Sequence, residues 1–136
     1  MAPALAAGHP VDIEPQHAHS FAEGFSGGPT IIAEVWPTMQ ANLDGSALMT
    51  VAELAQAVKL LAVRQHLVVE GAGAAAVAVA LAGRVGAKPG EKVVCVVSGG
   101  HIDADVLAEI LGGVEQWDGS DTAVPPPAQP AGVAKL

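Results

Sequence analysis

Tyrosine is absent from the 136 residues, and Phe and Trp occur twice each. So few rings leave little stacking surface for bases or sugars. Basic side chains are also scarce, 6 Lys and Arg against 14 Asp and Glu, for a formal net charge of −8. Binding to nucleic acid, which needs clustered cations to neutralise phosphates, is therefore not expected. A single cysteine, Cys95, excludes an intramolecular disulfide framework and any multi-cysteine zinc site, and fits a reducing cytoplasm. The longest apolar run, Ala72 to Ala82, is about half of the roughly 20 residues a membrane helix needs, so no membrane span is expected. Met1 to Ala7 is apolar but lacks a positive leader and is interrupted at Pro3 and Gly8, which is not the pattern of a secretory signal.

What is present is small and apolar. Hydrophobic residues make up 51% of the chain, and Ala and Val supply most of them, as suits close packing of helices on a sheet. The length allows one domain that buries roughly two thirds of its unfolded surface, yet it is short for a self-contained α/β enzyme. Ser20 with Glu23 three residues later predicts a short capped helix to about Phe25. From Thr30 to Leu43 the residues Ile31, Ile32, Val35, Trp36, Met39 and Leu43 recur at helical spacing, although Pro37 limits its regularity. After the turn at Asp44-Gly45-Ser46, Ala47 to Thr50 reads as a short strand. Thr50 and Glu53 form a second capping box, opening a helix to about His66 with Val51, Leu54, Val58, Leu61 and Ala62 as its buried stripe.

Leu67-Val68-Val69 reads as a brief strand, and Glu70-Gly71-Ala72-Gly73 leads into an Ala-rich helix ending near Gly83. Lys88 to Glu91 is a surface turn. Lys92 to Val97 is the strongest strand signal in the chain, a nearly continuous run of Val and Cys such as a strand covered on both faces carries. Ser98-Gly99-Gly100-His101 follows it, and a helix from about Ala104 to Leu111 comes next, with Asp103 as its cap. Strand, glycine turn and helix start in that order form the ligand end of a parallel α/β sheet. Residues 1–117 are read as one domain portion and 118–136, rich in Pro and Ala, as a disordered tail.

Each candidate site also has an ordinary structural reading. Ser98-Gly99-Gly100-His101 alone is as well explained by a tight strand-to-helix turn with no ligand; the second turn at Glu70 to Gly73, emerging at the same sheet edge, favours a site. His17 and His19 share a side of an extended segment, but without a third ligand at metal spacing they read as surface histidines. His66 closes a helix, where a partly charged imidazole suits the dipole. Cys95 reads as a packed small hydrophobe, and Trp36 and Trp117 as packing residues. Lys59, Lys88, Lys92 and Lys135 fall on a helix surface, in a turn, at a strand start and in the tail, none of them a setting that depresses an amine pKa.

The stretches SFAEGFSGG (Ser20 to Gly28), LMTVAELAQAVKLLA (Leu48 to Ala62), LVVEGAGAAAVA (Leu67 to Ala78) and VVCVVSGGHID (Val93 to Asp103) together resemble the carboxyl-terminal half of fold-type II pyridoxal-phosphate enzymes. Within that group the chain is most similar to threonine and serine dehydratases and serine racemases, where the matching stretches read like TIADGLA, SEEEI, VEGAGAAA or EPAGA, and VVVLSGGN. The likeness runs from about Gly8 to Leu111, and four motifs in order are far more specific than any one. It implies a parallel α/β sheet with flanking helices, part of the tryptophan synthase beta-like fold, and pyridoxal 5'-phosphate as cofactor.

The resemblance further implies that Ser98 faces the cofactor's pyridine nitrogen, that Gly99 and Gly100 give the ring access, and that Glu70 sits beside the pocket. His101 stands where Asn is commoner, and Glu23 where Asp is. The family's Schiff-base lysine and glycine-rich phosphate loop belong to its amino-terminal half and have no counterpart here, so no catalytic residue is assigned within this chain. Ala2-Pro3-Ala4-Leu5 resembles the middle of a family helix, so the chain is expected to start partway through the fold. The implied activity is dehydration and deamination of L-threonine or L-serine to a 2-oxo acid, absent from this portion alone. Alternatives are a non-catalytic subunit that pairs with a separate amino-terminal chain, and a stand-alone anion-binding α/β module. Family members are usually homo-oligomers.

Overall fold

The computed structural model describes residues 2–11, 21–22 and 34–113. The helix expected around Ser20 to Phe25, with Glu23, lies outside those residues except for Phe21 and Ala22; His17, His19, Trp117 and the tail lie outside them entirely. Five α-helices run in chain order: α1 (Ala2–Ala7), α2 (Trp36–Asn42), α3 (Val51–Gln65), α4 (Ala75–Leu81) and α5 (Ala104–Gly112), with a 3-10 turn (Ala72–Ala74) leading into α4. None of the helices is long and apolar enough to cross a membrane, among the described residues.

The organising element is α3, and its start is set locally. The Thr50 hydroxyl accepts a hydrogen bond from the Glu53 N–H at 3.2 Å, while the Glu53 carboxylate accepts from the Thr50 N–H at 2.7 Å. That reciprocal pair satisfies two orphan donors of the first turn. At the other end His66 takes the left-handed conformation (φ 57°) and the Leu67 N–H reaches back to Leu61 O at 3.1 Å, which stops the helix by backbone geometry. His66 closes the helix through its backbone, with an exposed side chain. Leu54, Ala57, Val58 and Leu61 are buried, whereas Val51 and Ala62 of the expected stripe are half-buried. Against that face pack α4, the 3-10 turn and α5, and the shared core adds Ala22, Val69, Ala74, Ala78 and Ile110. A second, smaller cluster joins Trp36 to Ala4, Leu5, Val11 and Met39, so Trp36 is a packing residue as expected. Pro37 sits in the first turn of α2, which begins at Trp36, so the helical spacing read from Thr30 is realised as a helix only from there among the described residues.

The strands are where the expectation and the structure part. Ala47 to Thr50, Leu67 to Val69 and Lys92 to Val97 form no strand among the described residues, so the expected parallel sheet is not seen among them. A strand exists only through a neighbour's backbone, and no backbone hydrogen bond joins 92–97 to another described segment. Asp103 takes the N-cap position of α5, but its side chain makes no capping hydrogen bond.

One long-range ion pair binds these pieces together. Arg84, just beyond α4, donates to both oxygens of Glu53 (2.9 Å and 2.6 Å) and to Leu48 O at 3.0 Å. The two parallel bonds suit the planar guanidinium. Arg84, and then the bonds from Thr50, hold the Glu53 carboxyl down to about 2 from its ordinary 4.5 against the opposing effect of burial. Because the folded value is the lower one, this contribution is full above pH 4.5 and is lost as pH falls toward 2. Thermal unfolding followed by circular dichroism should show the midpoint dropping through that window, and Glu53→Gln should flatten the drop. Thr50→Ala should cost about 1 kcal/mol of stability in urea unfolding.

Candidate functional site at the Ser98 turn

The site is built where two loops cross. Val68 to Gly73 runs beside Ser98 to His101, and the Glu70 N–H donates to Gly99 O at 3.2 Å. The Glu70 carboxylate in turn accepts from the His101 N–H at 3.1 Å. One residue thus holds both ends of the glycine turn. Gly99 has φ +72°, a conformation L side chains rarely adopt, and a Cβ there would lie within 2.7 Å of both Glu70 carboxylate oxygens. Gly73 is required for a different reason. A Cβ on it would fall onto the carbonyl oxygen of Ser98 and come within 2.9 Å of Val69 Cγ1, so the turn can approach the start of the 3-10 helix only because no side chain intervenes. Gly100 is roomier, with Val68 O the nearest atom to a Cβ at 3.1 Å.

The resulting surface is open. Ser98, Gly99, Gly100 and His101 are exposed, Glu70 is half-buried, and the Ser98 hydroxyl makes no hydrogen bond to another described residue. All four expected cofactor-side residues, Ser98, Gly99, Gly100 and Glu70, are therefore brought together. An anion-binding role for the turn is disfavoured by the same geometry, because the Glu70 carboxylate already occupies the His101 N–H and would repel a second negative charge.

No lysine among the described residues approaches Ser98. Lys59 Nζ lies near Gly113, at the far end of α5, which is about 13 Å long. Lys88 belongs to the turn closed by Glu91, and Lys92 is separated from Ser98 by the whole extended segment. Cys95 is half-buried with its thiol 3.6 Å from Ala76 O, a packed residue as expected. No group of three or more His, Cys, Asp or Glu side chains could hold a metal among the described residues.

Two features of the site escaped sequence reasoning. The close approach of Gly73 to Ser98 joins residues 25 positions apart, and only the Gly-Ala-Gly spacing hinted at it. The Glu53 and Arg84 pair, 31 positions apart, left no local signal at all.

Comparison with known proteins shows the family. The family described as pyridoxal-phosphate dependent enzyme matches residues 1–99, a span that includes Glu70, Gly73, Ser98 and Gly99. A "Putative threonine dehydratase" of Sinorhizobium fredii is 33% identical over 116 residues, covering 84% of this chain and 34% of that protein. The chain thus spans about a third of the length of that curated relative. No solved structure matches it.

Proposed function

Because the chain belongs to the pyridoxal-phosphate-dependent enzyme family, we propose that it forms the ring-nitrogen side of the active site of a cytoplasmic threonine or serine dehydratase. The observation that carries this reading is the exposed Ser98 hydroxyl, without a hydrogen-bond partner among the described residues, on a double-glycine turn held by Glu70. The donor chemistry fits that edge of the cofactor: a hydroxyl can donate to an aromatic nitrogen or accept from its protonated form, and Gly99 and Gly100 put no side chain in its way. Pyridoxal phosphate, when bound, supplies an electron sink for the amino acid's α-carbon.

Ser98 would hold the ring-nitrogen edge through a neutral hydrogen bond. A hydroxyl does not keep that nitrogen protonated as a carboxylate would, so the sink stays moderate and loss of a β-hydroxyl is favoured over reactions that need a stronger one. Glu70 contributes by orienting the turn, since its carboxylate fixes the His101 N–H and its own N–H fixes Gly99 O. The overall change would convert L-threonine to 2-oxobutanoate and ammonia, one water leaving from the β-carbon and one entering in hydrolysis. The amine and the phosphate cradle would come from the part of the family fold that lies outside these 136 residues.

The test is threonine-dependent 2-oxobutanoate production with added pyridoxal phosphate. The chain alone should give none. Assembled with the two-thirds of the Sinorhizobium relative outside the matched region, it should give product, and Ser98→Ala should lower kcat about tenfold, the loss of one hydrogen bond. Turnover by the isolated chain would overturn the division of labour, and an assembled but inactive pair would overturn the dehydratase reading.

A further inference from the structure

Ser98, Gly99 and Gly100 carry no charge, so the electrostatics of their turn can change only through its neighbours. Two of these meet there. Glu70 Oε2 accepts from the His101 N–H at 3.1 Å, whereas Glu70 Oε1 has no hydrogen-bond partner among the described residues. The Ile102 N–H returns to Gly100 O at 3.1 Å, across a single residue, which places His101 at the centre of a three-residue turn. His101 is exposed, and its imidazole makes no hydrogen bond to another described residue. That ring leaves the same residue whose N–H the carboxylate already holds. In a gauche rotamer Nδ1 stands about 3 to 4 Å from its own backbone nitrogen, which puts it within reach of the second Glu70 oxygen.

We propose that His101 is a proton-sensitive positioning residue of the Ser98 turn: once charged, its Nδ1–H donates to Glu70 Oε1 beside the N–H held by Oε2, so one carboxylate grips one residue twice. The proton comes from solvent, and an imidazolium has both ring nitrogens as donors. Hydrogen bonds between charged groups are about twice as strong as neutral ones, so the clamp tightens as the ring is protonated. Imidazole is the side chain that ordinarily changes charge between about pH 5 and pH 8. Asn, commoner at this position in the similar enzymes, has no such group. From the neighbouring loop, Val68 to Gly73, Glu70 is the only titratable residue. On α5 the competitor is Asp103, whose side chain makes no capping hydrogen bond, with Asp105 in the first turn and Glu109 further along. On α3, which packs against α5, Glu53 is bound to Arg84, Lys59 Nζ lies near Gly113 at the far end of α5, and Arg64 belongs to the last turn. Only Glu70 already holds His101 with one oxygen and has the other one free. The consequence for the cofactor edge rests on the proposed function: a charged His101 offsets the Glu70 charge that turns anions away, and the turn becomes firmer and less negative together. The clamp itself does not depend on dehydratase chemistry.

The experiment follows amide hydrogen exchange and ring nitrogen shifts of the 136-residue chain by NMR between about pH 5.5 and about pH 8, with no cofactor added. Relative to the intrinsic exchange rates of an unstructured peptide, protection of the His101 amide should rise about fivefold on the acid side and follow the titration curve of the His101 ring. His101→Asn should remove that rise and keep the protection seen at about pH 8, since the backbone bond to Glu70 Oε2 remains. Glu70→Gln should also remove the rise, because the charge on the acceptor is gone. Asp103→Asn should leave it in place. Protection that stays flat across the range overturns the proposal, as does a rise that survives His101→Asn. A rise abolished by Asp103→Asn and kept in Glu70→Gln assigns the imidazole to Asp103 and overturns it too. Should Glu70→Gln loosen the turn at every pH, His101→Asn and Asp103→Asn decide between them. None of these outcomes depends on 2-oxobutanoate production, so failure of the dehydratase reading and failure of the clamp are read separately.

Discussion

Gly73→Ala should destabilise the chain by about 3 kcal/mol, measured by urea unfolding followed at the helical circular dichroism band. The size follows from what the added methyl meets. Its carbon would fall onto the carbonyl oxygen of Ser98 and lie 2.7 Å from the carbonyl carbon of that residue. Backbone atoms cannot rotate away as the end of a side chain can, so either the 3-10 turn or the Ser98 turn must move. Gly71→Ala makes a useful contrast: its Cβ would meet Phe21 Cε2 at 2.7 Å, an atom at the end of a side chain that can swing, so the cost there should be smaller. Hydrogen exchange at Gly99 to His101 should rise in Gly73→Ala before global unfolding does, because the clash pushes on that turn. An unchanged unfolding midpoint would mean that the two loops do not cross at Gly73.

Leu61→Ala should cost a similar amount, about 3 kcal/mol in the same assay. Alanines and valines make up most of the buried cluster, and Leu61 is one of its few larger members at 5% exposure, on the buried face of α3. Removing it leaves a void that surrounding alanines are too small to fill. Val94→Ala, at a position 88% exposed, should stay within about 0.5 kcal/mol of the unmodified chain. If the two substitutions had equal effects, the core would not be centred on α3.

The helices were legible because their causes lie within a few residues. Thr50 and Glu53 are three apart, so the capping box could be read and appears with both hydrogen bonds formed. Leu54, Val58 and Leu61 recur at helical spacing and are buried as that spacing requires. The grouping of Glu70 with Ser98, Gly99 and Gly100 was anticipated by placing both turns at one sheet edge, and the two turns do meet. Among the described residues they are held by Glu70 hydrogen bonds and by the absence of a side chain at Gly73. The strands could not be secured in the same way. Composition marks Lys92 to Val97 as a strand, but pairing is a property of two segments, and the partner is not among the described residues.

Composition and local pattern by themselves determined an acidic, aromatic-poor, Ala- and Val-rich chain, the positions of α3, α4 and α5, and the motifs that identify its family. Those depend on charge counts, helical periodicity and caps, all of which act over a few residues. Tertiary structure decided that Arg84 closes on Glu53, that Gly73 admits the Ser98 carbonyl, and that Val94 and Val96 face water. Each of these joins or leaves open a contact between segments distant in sequence, and chain neighbours carry no record of which distant atoms will arrive.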